Sequence, residues 1–245
     1  MKELMTKSLA QIVNSNHLAA SVFEKYHLDF CCKGKRTLQQ ACTESELPVD
    51  DILSELEKTT QQNSDKVSIN FENLSLSQLA EYIVTTHHDY VKKEMPAIAS
   101  FLQKVASKHG VHHPEMLKVF EIFMALKEEM EQHMQKEEVV LFPRIKELEK
   151  QIGMGNQPQI NITYLKAPIT MMEHEHDHAG AAMAEIRKLT GNYNLPADAC
   201  TTYRLSFAAL EAFELNLHQH VHLENNMLFP KGLKMFNKMG EYSLN

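Results

Sequence analysis

The chain has 245 residues, 43% of them apolar, and a net charge of −7. That is enough to bury a core as one large domain or as one domain with a small companion. No basic stripe is present to recruit nucleic acid. No apolar run approaches the roughly 20 residues of a membrane span, and the N-terminal stretch MKELMTKSLAQIVNSNHLAA has no continuous apolar h-region, so a cytoplasmic protein is expected.

Eight Gly, eight Pro and no sustained period-2 alternation leave little room for a sheet. Apolar residues recur at helical spacing in most segments, which predicts an all-α chain. Residues 1–58 read as a small helical unit. Within it, Asp29-Phe30-Cys31-Cys32-Lys33-Gly34-Lys35-Arg36 sets two adjacent thiols among basic residues. Neighbouring cysteines bridge each other only through a strained small ring, so the pair points to a reducing compartment and to thiols kept for reaction or metal contact. Lys33, Lys35 and Arg36 are expected to lower the pKa of a nearby thiol, provided it is partly exposed; the plainer reading is two ordinary buried cysteines. Cys42 and Cys200 lack such a context and read as structural. The polar stretch from Thr59 to Lys66 marks a linker, taken as 59–70.

From residue 71 to 245 the chain reads as a helical bundle built by repetition. H-x-x-x-E-x-x-x-L-F-P occurs as His133, Glu137, Leu141, Phe142, Pro143 and again as His220, Glu224, Leu228, Phe229, Pro230. A His-Asp pair precedes each copy: His88 lies 45 residues before His133, and His176 lies 44 before His220. A gap of that size fits a helix, a connection and the return helix, so about 72–148 and 166–231 form two related hairpins and together a four-helix bundle. Gly153 to Lys166 is expected to cross between the hairpins and Gly191 to Pro196 to turn within the second. Pro143 and Pro230 are expected to kink or end their helices.

Residues four apart on a helix share a face at about 6 Å, so each His/Glu pair can bring a ring nitrogen and a carboxylate to one centre. The faces are apolar: Val119, Ile122, Phe123, Leu126, Met130, Val140 and Leu141 flank His133; Leu210, Phe213, Leu217 and Leu228 flank His220; Ile169, Met172, Ala179, Met183 and Ile186 flank His176. Unpaired ionised carboxylates in a core cost several kcal/mol, so two at matching positions call for a cation. On the first helix, periodicity slightly favours His87 and the His-Asp repeat favours His88; the repeat decides for His88. Each hairpin then offers two His and one Glu, the set typical of non-haem Fe(II). Both sets can converge with the carboxylates bridging two irons and an exchangeable oxygen ligand completing the site. The His-x-x-x-Glu order differs from the Glu-x-x-His of ferritin-like proteins.

A lone His on an apolar face is usually a satisfied core residue; six residues in duplicated spacing are not so explained. His17, His27, His109, His112, His113, His218 and His222 read individually as surface or loop residues. Glu129 and Glu175 adjoin the site in sequence and are candidates to relay protons or an incoming cation, though solvated carboxylates are the plainer reading. His174-Glu175-His176-Asp177-His178 is also a literal H-E-x-x-H, the signature of zinc hydrolases. That reading turns a less apolar face inward and leaves both H-x-x-x-E copies unexplained.

Tyr26, Asp29, Phe30, Cys31, Cys32, Gly34 and Lys35, taken with the two L-F-P turns, Glu175-His176-Asp177, Ala199-Cys200-Thr201-Thr202 and Leu223-Glu224-Asn225-Asn226, resemble the iron-sulfur cluster repair proteins, the RIC family. The resemblance covers essentially the whole chain. It implies a hemerythrin-like four-helix bundle preceded by a small helical domain, with a non-haem di-iron centre held by His88, His133, Glu137, His176, His220 and Glu224. It further implies repair of iron-sulfur proteins damaged by nitric oxide or oxidants, by iron donation or by nitric oxide reduction at the irons, in the cytoplasm and as a homodimer. Cys31 and Cys32 are expected to work with the centre. The seventh ligand of oxygen-carrying hemerythrins has no counterpart in the repeat, which favours small-molecule chemistry or iron release over reversible O₂ carriage; the alternative is a hemerythrin-type O₂ or NO binding and sensing protein.

Overall fold

The computed structural model describes residues 2–62, 69–156 and 161–242. Among them every regular element is helical, and the only β-type pairing is an isolated bridge between Ser8 and Thr37. Five helices form the N-terminal part: α1 (Lys2–Thr6), α2 (Leu9–Ser15), α3 (Ala19–Lys25), α4 (Leu38–Glu44) and α5 (Val49–Gln62). Ser8 and Thr37 start α2 and α4 with reciprocal capping boxes closed by Gln11 and Gln40, which satisfy first-turn N–H groups that have no helical partner. Helix α5 continues to Gln62, so residues 59–62 of the expected linker are helical; 63–68 lie outside the described residues.

Four long helices make the bundle, and three of them change pitch once. α6 (Leu76–Tyr82) runs through a π-turn at Ile83–His88 into α7 (Asp89–His109). α8 (Glu115–Lys136) runs through Glu137–Leu141 into α9 (Phe142–Gly153), and α11 (Thr201–Leu223) through Glu224–Leu228 into α12 (Phe229–Tyr242). The remaining long helix, α10 (Thr163–Leu189), is α-helical throughout. The bundle order is α8 beside both α7 and α10, with α11 on the other side of α7. The crossover spans 154–162, of which 157–160 lie outside the described residues, and the second turn runs from Thr190 to Cys200, longer than expected. Gly191, Asn192 and Tyr193 all take positive φ there, a run that Gly and Asn tolerate and that the Thr190 Oγ1 bond from the Tyr193 N–H helps to hold.

Pro143 and Pro230 do not end their helices. The Phe142 N–H reaches back five residues to the Glu137 carbonyl, and the Phe229 N–H to that of Glu224. Each wide turn closes one residue before the proline, which then enters the next α-segment near its start, where its missing N–H costs least. This is why E-x-x-x-L-F-P recurs as a unit.

Two apolar clusters fill the interior. One joins α2–α5 to the α7, α8, α10 and α11 portion of the bundle; the other packs α6, α9, α12 and the first half of α10. The three π-turns lie where one gives way to the other.

Candidate metal centre

At that boundary six polar side chains are buried together: His88, His133, Glu137, His176, His220 and Glu224, none more than 1% exposed. Their ligand atoms fall into two groups, His88, Glu137, His220, Glu224 and His133, Glu137, His176, Glu224, each spanning no more than 4.8 Å. Both carboxylates belong to both groups. Glu137 Oε2 lies 3.4 Å from His88 Nε2 and 3.3 Å from His133 Nε2. Glu224 splits its oxygens, with Oε1 3.0 Å from His220 Nε2 and Oε2 3.0 Å from His176 Nε2.

The π-turns supply this arrangement. Glu137 and Glu224 each open one, and His88 closes the third. A wide turn rotates the residues beyond it relative to 3.6-residue periodicity, and such turns recur at functional sites. Accordingly His88 enters the cluster on the face that regular spacing assigned to His87. Val140, placed by spacing on the inner stripe, is instead 39% exposed, while Val119, Phe123, Leu126, Met130 and Leu141 are buried as expected.

The imidazole tautomers are set by the group behind each ring. His88 Nδ1 donates to Glu138 Oε1 at 2.8 Å, His133 Nδ1 to Glu175 Oε2 at 2.9 Å and His176 Nδ1 to Asn225 Oδ1 at 2.8 Å. With Nδ1 protonated, a neutral ring presents its Nε2 lone pair inward. Yet His88 and His220 bring Nε2 to within 3.1 Å of each other, as do His133 and His176. In His133 and His176 both Nδ1 atoms have acceptors, so two lone pairs face each other at that distance and call for positive charge between them. Both Glu137 oxygens and Glu224 Oε2 also lack hydrogen-bond partners although buried, a cost rarely carried without a cation.

Electrostatics agree. Burial opposes charge on His88 and His133, but the close negative carboxylates of Glu137 and Glu224, with Glu175 adding to His133, outweigh it and raise both rings to about 10. Burial likewise opposes ionisation of Glu137 and Glu224, yet the surrounding imidazoles pull both below the usual carboxylate value, Glu224 strongly. His220 is lowered by burial. The residues therefore fit metal ions: four inward imidazole nitrogens and two shared carboxylates with unused oxygens.

His87 is also buried but outside the cluster. Its ring stacks on His220 with centroids 5.8 Å apart, its Nε2 has no partner, and burial lowers it to about 4. His222, read as a surface residue, is 3% exposed and joins the N-terminal helices to the bundle through Nε2 to Asn14 Oδ1 at 2.9 Å. The motif LENN holds Asn225 and Asn226, and Asn225 and Glu138 occupy matching positions, one residue after each shared carboxylate.

Glu175 lines a cavity of about 320 Å³ with His133, Lys136 and Glu129. It accepts from His133 and from Lys136, which hold it at about 2 despite burial. Glu129 is exposed on that rim.

Cys31 and Cys32 are free thiols with sulfurs 3.9 Å apart. Asp29 Oδ1 organises their loop by accepting N–H groups of Cys31, Cys32 and Lys33. Cys31 is buried, so the exposure that an acidic thiol requires is not met there. Lys33 and Lys35 point to solvent, whereas the neighbouring Cys32 sulfur, burial and Asp29 push the Cys31 thiol well above its ordinary value. The loop is already packed on the bundle: Asn226 Nδ2 donates to the Cys31 carbonyl at 2.8 Å, and Cys32 faces Gly180 of α10. Cys42 is buried as expected, but Cys200 is exposed at the N-cap of α11, 3.3 Å from His109 Nε2.

Comparison with known proteins agrees with this geometry. Residues 79–232 match the hemerythrin HHE cation binding domain, and residues 5–60 match a domain of unknown function, DUF542. The chain is 35% identical over 225 residues to the iron-sulfur cluster repair protein YtfE of Enterobacter sp. (strain 638), covering 92% of this chain and 96% of the relative. It is 35% identical to YtfE of Musicola paradisiaca (strain Ech703) over 93% and 96%, and 34% identical to that of Escherichia coli (strain SMS-3-5 / SECEC) over 92% and 96%. The chain therefore belongs to the hemerythrin HHE family and, within it, to the group of the iron-sulfur cluster repair protein YtfE.

Proposed function

We propose that this protein holds two non-haem iron ions and donates iron to damaged iron-sulfur clusters in the cytoplasm. The supporting observation is that Glu137 and Glu224 each belong to both ligand groups. Two carboxylates common to two pairs of imidazoles suit two adjacent ions better than one, and the His/carboxylate donor set favours iron. His88 and His220 would hold one ion, His133 and His176 the other, and the carboxylates would span them, leaving positions for an oxygen-donor bridge. Bound there, iron supplies an exchangeable cation and a Lewis acid.

The protein's own groups would do the rest. Glu138, Glu175 and Asn225 orient the imidazoles, and the two apolar clusters limit water. Only two imidazoles serve each ion, which favours exchange over retention. The same open positions suit a diatomic ligand, so nitric oxide binding is the second reading. We read the thiols of Cys31 and Cys32 as an accessory feature of the N-terminal part and Glu129 as a rim carboxylate.

The test is elemental analysis of purified protein beside Glu137→Leu/Glu224→Leu, followed by incubation of each with a nitric-oxide-damaged [4Fe–4S] enzyme. Iron in the parent at about two per chain, absent from the variant, with enzyme recovery only in the parent, is expected. A variant that keeps both irons would sink the site. A parent that consumes nitric oxide but restores no cluster would favour the second reading.

A further inference from the structure

The segment His174-Glu175-His176-Asp177-His178 divides between two faces of α10. His176 enters the buried cluster and Glu175 backs His133. His174 and His178 remain: both are exposed, and among the described residues neither makes a hydrogen bond, ion pair or ring contact. They line the cavity of about 320 Å³ that His133 and Glu175 also line, so this opening lies against a member of the buried cluster. His174 also lines a second cavity, of about 290 Å³, together with Cys32, Asp177 and Asn225. It stands between the opening over the cluster and the one beside the thiols.

Two histidines four apart share a helical face with Cβ atoms about 5–6 Å apart, and that spacing lets both imidazoles grip one first-row divalent ion, as in helical zinc sites. Here the pair has no competing partner to release. Carboxylates gather around it, Glu129 and Glu175 in the first cavity and Glu173 and Asp177 in the second, against Lys136 and Lys35. Imidazole also accepts Fe(II) and Zn(II) alike.

We propose that His174 and His178 form a second, surface cation station that holds divalent iron in transit between the buried cluster and the Cys32 side of the molecule. The step is ligand exchange: the ion trades carboxylate and imidazole ligands of the cluster for the exposed imidazoles and water, and no electron moves. The transit role rests on iron occupying the buried cluster; the station itself does not.

The experiment uses the full-length, iron-loaded protein and His174→Ala/His178→Ala, whose alanines suit an exposed helix face. Zinc is titrated into each by calorimetry while retained iron is measured, and iron(II) release to a colorimetric chelator is timed. The parent is expected to bind about one zinc more than the variant, and the variant to release iron about tenfold more slowly, the scale on which metal-support residues act. Equal zinc uptake overturns the station. Zinc lost with unchanged release overturns the transit role and leaves a surface chelate off the iron route. If the parent carries no iron in the cluster, the iron-donor function itself fails, and the zinc difference alone decides the station.

Discussion

Replacing Asn226 by Ala should open the Cys31 loop without disturbing the buried cluster. Asn226 Nδ2 donates to the Cys31 carbonyl at 2.8 Å, lies 3.4 Å from that of Phe30 and 3.3 Å from His222 Nδ1, and its side chain makes no hydrogen bond to the six clustered side chains. With Ala, the Cys31 carbonyl keeps its place against the bundle but loses its donor, whereas in the opened loop water supplies one. The docked state is thus penalised by about 1–3 kcal/mol, the cost of an unsatisfied buried acceptor. That corresponds to an increase of about 5–150-fold in the opened population. Cys31 is 5% exposed, so alkylation proceeds through the opened loop and its rate rises by the same factor when opening is rapid and reversible. The assay is timed iodoacetamide labelling of native protein, read cysteine by cysteine in peptide mass spectra. Cys42, 1% exposed inside the N-terminal part, reports unfolding of that part and should not change; Cys200, already exposed, should not change either. A Cys31 rate within about twofold of the parent, the scatter of a neutral surface substitution, refutes the docking argument. So does a parallel rise at Cys42.

Glu175→Gln keeps an acceptor for His133 Nδ1 but removes the charge; chelator competition should show iron affinity lower by about tenfold, and unchanged affinity would remove Glu175 from that role. Since His133 and Lys136 hold Glu175 at about 2, this support is present above the ordinary carboxylate value and is lost only as pH falls toward 2. Glu214 behaves oppositely: burial raises its carboxyl against the pull of Arg187 and the hydrogen bond from Tyr193. The folded protein then binds the proton more tightly than the unfolded chain, so its contribution is complete below the ordinary value and declines as pH rises. Glu214→Gln should gain melting temperature over the parent as pH rises from the ordinary carboxylate value through the raised one and hold that gain above it, and a gain that shrinks with rising pH contradicts the sign. His87→Phe keeps a ring against His220 while removing both the partnerless Nε2 and the Nδ1 contact to Asn216 Oδ1 at 3.3 Å; the two losses offset, so iron content should hold and stability of the iron-free protein should change by no more than about 1 kcal/mol.

The helical class and most of the cluster are legible in the sequence because both are periodic. The duplicated H-x-x-x-E and its matched upstream His-Asp pairs single out the six side chains that the fold buries together. Regular periodicity misleads when carried further. His87 fits the inner stripe of an unbroken α-helix, and Val140 that of its neighbour, but a π-turn at Ile83–His88 and another at Glu137–Leu141 shift the faces of the residues around them. Spacing in a single sequence does not register a widened turn, although the E-x-x-x-L-F-P unit marks two of the three. Glu138 and Asn225 each lie one residue after a shared carboxylate and each back the first His of their own hairpin. Extending the repeat by one position finds them. The Cys31 thiol shows what sequence alone leaves open: basic neighbours lower a thiol pKa only where the sulfur is exposed and they point at it, and Cys31 is buried while Lys33 and Lys35 face water.

The two halves of the repeat are not mirror images behind their ligands. Glu175, one residue before His176, supports His133 of the opposite helix pair. The equivalent position before His88 holds His87, which lies flat against His220 and leaves the His220 Nδ1 without an acceptor. One ion would therefore sit between two buttressed imidazoles, the other between one buttressed and one bare. A dinuclear centre held this way would empty in sequence: the His88/His220 half would yield first, and the remaining half would retain both carboxylates as a mononuclear site ready to be refilled.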